Sequence, residues 1–177
     1  MKEGAFLRGL ARMLTPGVVS TVYYLIRCRA KVSPRAEVDV TARIAFGRGC
    51  VVSSFCKIKA SEGPLTIGER GGVAAGCFIS AGAAGITIGR NFICGPNVAI
   101  VGQNYSHNAT GVHLEDLGVE SHGITMGDNV WLGAGTTVVD GSRIGDDTIV
   151  VANSLVNGSY PDGVVLQGMP ARVVLRR

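Results

Sequence analysis

Apolar residues recur at every sixth position through most of this chain. The clearest run is Met126, Leu132, Val138, Ile144, Val150 and Val156, with no reset between them. The residues that follow them are Gly127, Gly133, Val139, Gly145, Val151 and Asn157. Four places after each stand Val130, Thr136, Ser142, Thr148, Ser154 and Tyr160. A hexad of this kind predicts a short strand and a turn, with one side chain pointing inward. Three hexads then make a triangular coil, and stacked coils pair as parallel strands about 4.8 Å apart.

The beat also runs earlier, through Val32, Val38, Ile44, Cys50 and Cys56, then Ile67, Val73 and Ile79, then Ile88, Cys94 and Ile100. Seventeen hexads predict between five and six coils. The resets mark insertions. Cys56 to Ile67 is eleven residues, and Ile79 to Ile88 has three extra. The large insertion lies between Ile100 and Met126, where 102–123 carries no beat. A long loop on a rigid scaffold is the expected seat of chemistry.

Composition agrees. The 26 glycines among 177 residues keep no three-residue period, which excludes collagen. With 46% apolar residues the chain is not disordered. This much glycine disfavours a helical bundle. Only 6% of residues are aromatic, as a narrow interior that excludes rings would require. The expected class is all-β, a parallel β-helix solenoid of about five to six triangular coils with a protruding loop.

Charge is uneven. Residues 1–35 hold Lys2, Arg8, Arg12, Arg27, Arg29, Lys31 and Arg35 against Glu3 alone, a balance of +6, while the whole chain stands at +4. A nucleic-acid binder would spread basic charge over its main domain, so that class is disfavoured. The five cysteines (Cys28, Cys50, Cys56, Cys77, Cys94) form no C-x-x-C pair and read as small buried hydrophobes in a reducing compartment. The uncharged run Met13–Ile26 is interrupted by Pro16 and is too short to span a bilayer. A cytoplasmic protein is expected.

Three segments carry a resemblance to a known family. "ITMGDNVWLGAGTTV" is similar to the coil after the loop in hexapeptide-repeat (left-handed β-helix) acyltransferases, "VVLQGMPARVV" to their terminal segment, and "NYSHNATG" to the loop that bears their catalytic histidine. "GVESHGITMGDNVW" most resembles sugar O-acetyltransferases of surface-polysaccharide biosynthesis. The resemblance covers about residues 32–175. It implies a homotrimer with active sites between subunits, acetyl-CoA as co-substrate in the groove between neighbouring β-helices, and direct transfer to a sugar hydroxyl or amine.

His107 is the candidate catalytic residue. A neutral imidazole can take the proton of a sugar hydroxyl as it attacks the thioester, and histidine titrates near the working pH. Glu115, Asp116 or Asn108 could orient its other nitrogen. Tyr105, Asn104, Trp131 and Glu115 are candidate acceptor contacts. By the resemblance, Gly133, Ala134, Ala152 and Asn157 line the pantetheine path and Arg172 approaches the nucleotide phosphates. A backbone N–H near Gly133–Ala134 is the expected oxyanion donor. His107, His113 and His122 share one loop rather than separate coils, so a metal site is not expected; His122 reads as structural or cofactor-facing. Galactoside and maltose acetyltransferases carry an acceptor-binding asparagine before the loop, where this chain reads "CFISAGAAG". A different sugar is expected.

Thr15-Pro16 reads as a helix start, dividing residues 1–31 into a helix near Ala5–Leu14 and another near Gly17–Arg29. These residues either cap the first coil or lie on an anionic membrane, where Arg27, Arg29 and Lys31 would meet the lipid. The expected organisation is an N-terminal segment 1–31, a β-helix 32–160 with inserted loop 102–123, and an extension 161–177. The main reading is an acetyl-CoA-dependent sugar O-acetyltransferase. The alternatives are an N-acetyltransferase of a nucleotide-linked amino sugar and a non-catalytic β-helix scaffold; a zinc hydratase is disfavoured.

Overall fold

The computed structural model describes residues 17–107 and 109–177. The expected helix near Ala5–Leu14 and the candidate Asn108 lie outside these residues. A helix, Gly17–Cys28 (α1), is followed by a left-handed parallel β-helix whose strands fall into three long sheets, one per face of a triangular prism.

The first face stacks Val32, Val52, Val73, Cys94, Leu132, Val150 and Leu166. The second stacks Val38, Ile58, Ile79, Ile100, Val138 and Val156. The third stacks Phe46, Ile67, Ile88, Met126, Ile144 and Tyr160. Six complete coils result. The strand Val164–Gly168 then extends the first face, and Ala171–Arg176 returns antiparallel along it as that face's final strand.

Three expectations need correction. First, each hexad turns two side chains inward rather than one. Val130, Thr136, Ser142, Thr148 and Ser154 are as buried as the aliphatic residues that follow them by two. The hydroxyls among them are satisfied by the backbone: Ser142 Oγ donates to Val139 O at 2.6 Å, Thr148 Oγ1 lies 3.2 Å from Asp146 O, and Ser154 Oγ accepts the N–H of Gly168 at 3.2 Å.

Second, Ile44, Cys50 and Cys56 occupy this additional inward position, not the main one. Ile44 pairs with Leu65, two residues before the Phe46–Ile67 pair. The true beat therefore runs Val38, Phe46, Val52, Ile58, Ile67. Its extra residues lie between Val38 and Phe46, between Ile58 and Ile67, between Ile79 and Ile88, and between Ile100 and Met126. All four insertions leave the coil at the same corner, between the second and third faces.

Third, rings do enter the core. Phe46 lies in the end coil, edge-on to Tyr24 of α1 with centroids 4.9 Å apart. Phe92 is fully buried one residue before Ile93, which pairs with Gly72 of the preceding coil.

Stacking requires unusual backbone at the corners. Asn91, Asn129 and Asp147 share the left-handed region (φ 57, 57 and 54°) at the corner between third and first faces. Asn97 and Asn153 repeat it (φ 58° each) between first and second. Short Asn and Asp side chains tolerate this conformation best among non-glycine residues. An aspartate ladder ties the third-to-first corners together. Asp128, Asp146 and Asp162 each accept the backbone N–H one coil earlier, from Arg90, Asp128 and Asp146 at 2.7, 2.7 and 2.8 Å.

The helix closes the opposite end. Tyr24 is fully buried and donates to the carbonyl of Asp39. Ser20 faces the same way, so α1 covers the first coil with one side only.

Candidate active site

The largest insertion is an arm, not a shapeless loop. Its two limbs, Asn104–Tyr105 and Val119–Glu120, pair antiparallel, and a 3-10 turn, Leu114–Asp116, lies between them. Ser106 is buried, and its N–H donates to Gly118 O at 3.1 Å, so the next residue, His107, is delivered from a closed hairpin.

The arm is anchored at both limbs. Ser121 Oγ donates to Gly102 O at 2.7 Å and accepts Ala84 N–H at 3.1 Å. One residue on, Asp140 of the next coil takes three donors. Its carboxylate accepts the backbone N–H groups of His122 and Gly123 at 2.7 and 2.8 Å, and its Oδ2 lies 3.0 Å from His122 Nδ1. The Asp140 side chain is only 2% exposed. Asp140 and Ser121 were not singled out from the sequence. The signal was present in number alone, since eighteen residues separate His122 from Asp140, the length of one coil.

His107 itself is exposed, and among the described residues nothing bonds to its ring. Glu115 and Asp116 are exposed on the 3-10 turn and do not reach it. Asn104 and Tyr105 are exposed on the limb that precedes it. Gln103, just before that limb, lines an open polar cleft of about 200 Å³ with Lys59, Ser61, Glu62, Ser80 and Ala81. Its Oε1 is buried without a hydrogen-bond partner. The cleft lies along the insertion corner, below the arm.

The remaining candidates are spread around the prism. Gly133, Ala134 and Ala152 gather at the corner between first and second faces. Gly133 has a structural reason to be glycine: a Cβ there would lie 2.4 Å from Ala152 N. Ala134 and Ala152 are exposed. The Gly133 N–H already donates to Val150 O at 2.8 Å, which removes it as an oxyanion donor and leaves Ala134 N–H of that pair. Asn157 is exposed at the other end of the second face, at the corner from which the arm emerges. Arg172 is exposed on the final strand, opposite Gln167.

Trp131 is half exposed on the first face, in an outward ladder of Val51, Gly72, Ile93, Trp131, Ile149 and Val165. The arm leaves from the corner opposite that face, so within one chain it does not cover the indole. Among the described residues no group of three or more His, Cys, Asp or Glu side chains gathers to hold a metal ion. No described helix is long and apolar enough to cross a membrane.

Residues 123–158 match the family model "Bacterial transferase hexapeptide (six repeats)". The chain is 27% identical over 165 residues to WbbJ of Escherichia coli K12, a protein named for O-acetyl transfer in lipopolysaccharide biosynthesis; the match covers 77% of this chain and 84% of WbbJ. It is 34% identical over 127 residues to the galactoside O-acetyltransferase of Escherichia coli K12, covering 62% of each. Among solved structures, AntD, an N-acyltransferase from Bacillus cereus in complex with dTDP and 3-hydroxybutyryl-CoA, superposes with a TM-score of 0.69 at 22% identity over 84% of this chain and 80% of that one. That likeness is one of fold.

Proposed function

We propose that this hexapeptide-repeat acyltransferase moves the acetyl group of acetyl-CoA to a sugar hydroxyl, with His107 as general base. The observation that carries the reading is the arm. It is the one long departure from the coil beat, it is pinned at its base, and it presents an exposed imidazole that is unpaired among the described residues. In the reaction, the sugar oxygen attacks the thioester carbonyl carbon as its proton passes to the imidazole of His107. The tetrahedral intermediate then expels the thiolate of coenzyme A, which takes that proton back. The N–H of Ala134 would then serve as the oxyanion donor.

Assembly follows from where the parts lie. The arm and Asn157 occupy one corner, while Ala134, Ala152 and the Trp131 ladder lie elsewhere on the prism. A complete site therefore needs two copies, and a homotrimer would bring the arm of one beside the first face of the next. The ladder supports this, because an outward row of Ile93, Trp131 and Ile149 is costly to leave in water. In that groove the small Ala134 and Ala152 would admit the pantetheine arm, and Arg172 would meet the phosphates. The acceptor would contact Tyr105, Asn104, Trp131 and Glu115.

A second reading, acylation of an amino group on a nucleotide-linked sugar, is favoured by the AntD fold and by that of PerB from Caulobacter crescentus in complex with CoA and GDP-perosamine, which superposes with a TM-score of 0.58 at 22% identity over 81% of this chain and 56% of that one. One assay separates the two: thiol release from acetyl-CoA across a panel of neutral and amino sugars, with wild type and His107→Ala. Release restricted to hydroxyl acceptors and lost in the variant supports the proposal. Amine-only acceptors support the second reading. Equal release from both proteins removes His107 from its role, and release from neither leaves a scaffold.

A further inference from the structure

The helix α1 caps the first coil with one side and leaves a second surface unused. Successive residues of a helix turn by about 100°. Ser20, Tyr24 and Cys28 therefore share the side turned to the coil, where Ser20 and Tyr24 are buried. The opposite side carries Val18, Val19, Val22, Leu25 and Ile26, and every one of these is exposed, Ile26 to 78%. Five apolar side chains in one stripe, with no polar residue among them, are far from a solvated face.

Charge surrounds the stripe on one sign only. From Gly17 to Arg35 the chain holds Arg27, Arg29, Lys31 and Arg35 and no acid, and all four are exposed. The sixteen residues before Gly17 add Lys2, Arg8 and Arg12 against Glu3, with Phe6, Leu7, Leu10 and Leu14 as further apolar groups. The rest of the chain is slightly acidic, so the cationic balance belongs to this end of the molecule.

We propose that the outward stripe of α1 docks on an anionic lipid bilayer, with the β-helix standing on the membrane by its capped end. The apolar residues enter the boundary between headgroups and acyl chains, and the flanking arginines and lysine meet the negative surface. Capping and membrane contact are then not competing uses of the segment, because they occupy opposite sides of one helix. A second copy of the chain as the occupant is disfavoured by charge: two such ends would bring at least four exposed cations toward four others.

The test uses the full chain and vesicles of phosphatidylcholine with or without about one third phosphatidylglycerol. Wild type should co-sediment with the anionic vesicles at least tenfold more than with the neutral ones, and lose binding in high salt. Val22→Gln with Ile26→Gln should lower that binding tenfold while leaving the thermal melt unchanged, since both side chains already face solvent. Ile26→Cys in a Cys28→Ser background, carrying an environment-sensitive dye, should shift to the blue on adding anionic vesicles. No binding by wild type, equal binding by the double variant, or an unshifted dye would each overturn the proposal. So would a change of oligomeric mass in the double variant, which would assign the stripe to a second copy. None of these readouts depends on acetyl transfer.

Discussion

Asp140 holds His122 twice: its Oδ2 lies 2.7 Å from the backbone N and 3.0 Å from the ring Nδ1 of the same residue. With Gly123 N–H on the other oxygen, a single buried carboxylate fixes the point where the arm rejoins the coil. The arm's geometry, and so the position of His107, is set from one coil above.

Asp140→Ala should therefore injure both stability and turnover. Hydrogen bonds to charged groups are worth about 1.5–3 kcal/mol each and are not additive, so a loss of about 2–4 kcal/mol is expected in denaturant melts. At a temperature where the variant is folded, acetyl transfer should fall at least tenfold. Full activity in the folded variant would show that the arm does not need this anchor.

Gly133 and Ala134 are neighbours in sequence and should respond in opposite ways. Gly133→Ala places a Cβ against the Ala152 backbone, and backbone cannot swing aside. A loss of about 3 kcal/mol or more is expected by calorimetry, in the range of severe overpacking. Ala134→Val points to solvent and should melt with wild type. If Ala134 borders the donor path, that variant should raise the KM for acetyl-CoA several-fold.

Phe55 holds a left-handed backbone (φ 62°) with its ring 70% exposed, at a corner where other coils place Asn97 and Asn153. An exposed ring does little to offset the conformational cost. Phe55→Asn should raise stability by about 1 kcal/mol, read as a higher midpoint in urea.

The cysteines should divide sharply. Cys50, Cys56, Cys77 and Cys94 are buried free thiols, and burial pushes the Cys50 thiol above its ordinary range. Only Cys28 is partly accessible. An aromatic disulfide reagent should titrate one thiol in the native protein and five after unfolding. Rapid reaction of two or more native thiols would contradict the burial.

Acid should act through the Arg90–Asp128 pair. The Arg90 guanidinium, Nε at 3.0 Å, holds the Asp128 carboxyl below the usual carboxylate range. A depressed folded value means that the contribution is full above the ordinary carboxylate range and disappears as pH falls through the folded one. The melting difference between wild type and Asp128→Asn should thus be steady from neutral pH down to the ordinary carboxylate range and shrink as pH falls below that range through the depressed folded value. The pair is solvent-exposed, so the difference should also be modest and weaken with salt.

The three faces and the closed core were readable because the hexad repeats what each coil must bury. The slip at Ile44, Cys50 and Cys56 has the same origin. Two positions per hexad point inward, both take small apolar residues, and a beat can be threaded through either. Strand register, which the sequence does not spell out, decides between them. The arm was legible only as a gap in the beat. Its hairpin pairing and its tie to Asp140 join residues from different coils, and neither shows as a local pattern. Trp131 was recognised as an outward indole, but only topology reveals that the arm of its own chain stands at the opposite corner.

All extra residues leave the prism at one corner, and this gives the molecule a single tolerant edge. Lengthening either other corner would part the Asp128–Asp146 or Gly133–Ala152 contacts on which neighbouring coils rest. Along the tolerant edge the coils differ in length while the strands on both sides keep their partners, although Gly63 still packs on Gly82 and Gly82 on Gly102. New recognition segments would enter at exposed positions such as Glu62, sparing Gly63, which packs on Gly82, and Ala84, whose N–H holds Ser121 at the base of the arm. The fold thus separates what must stay constant from what is free to diversify.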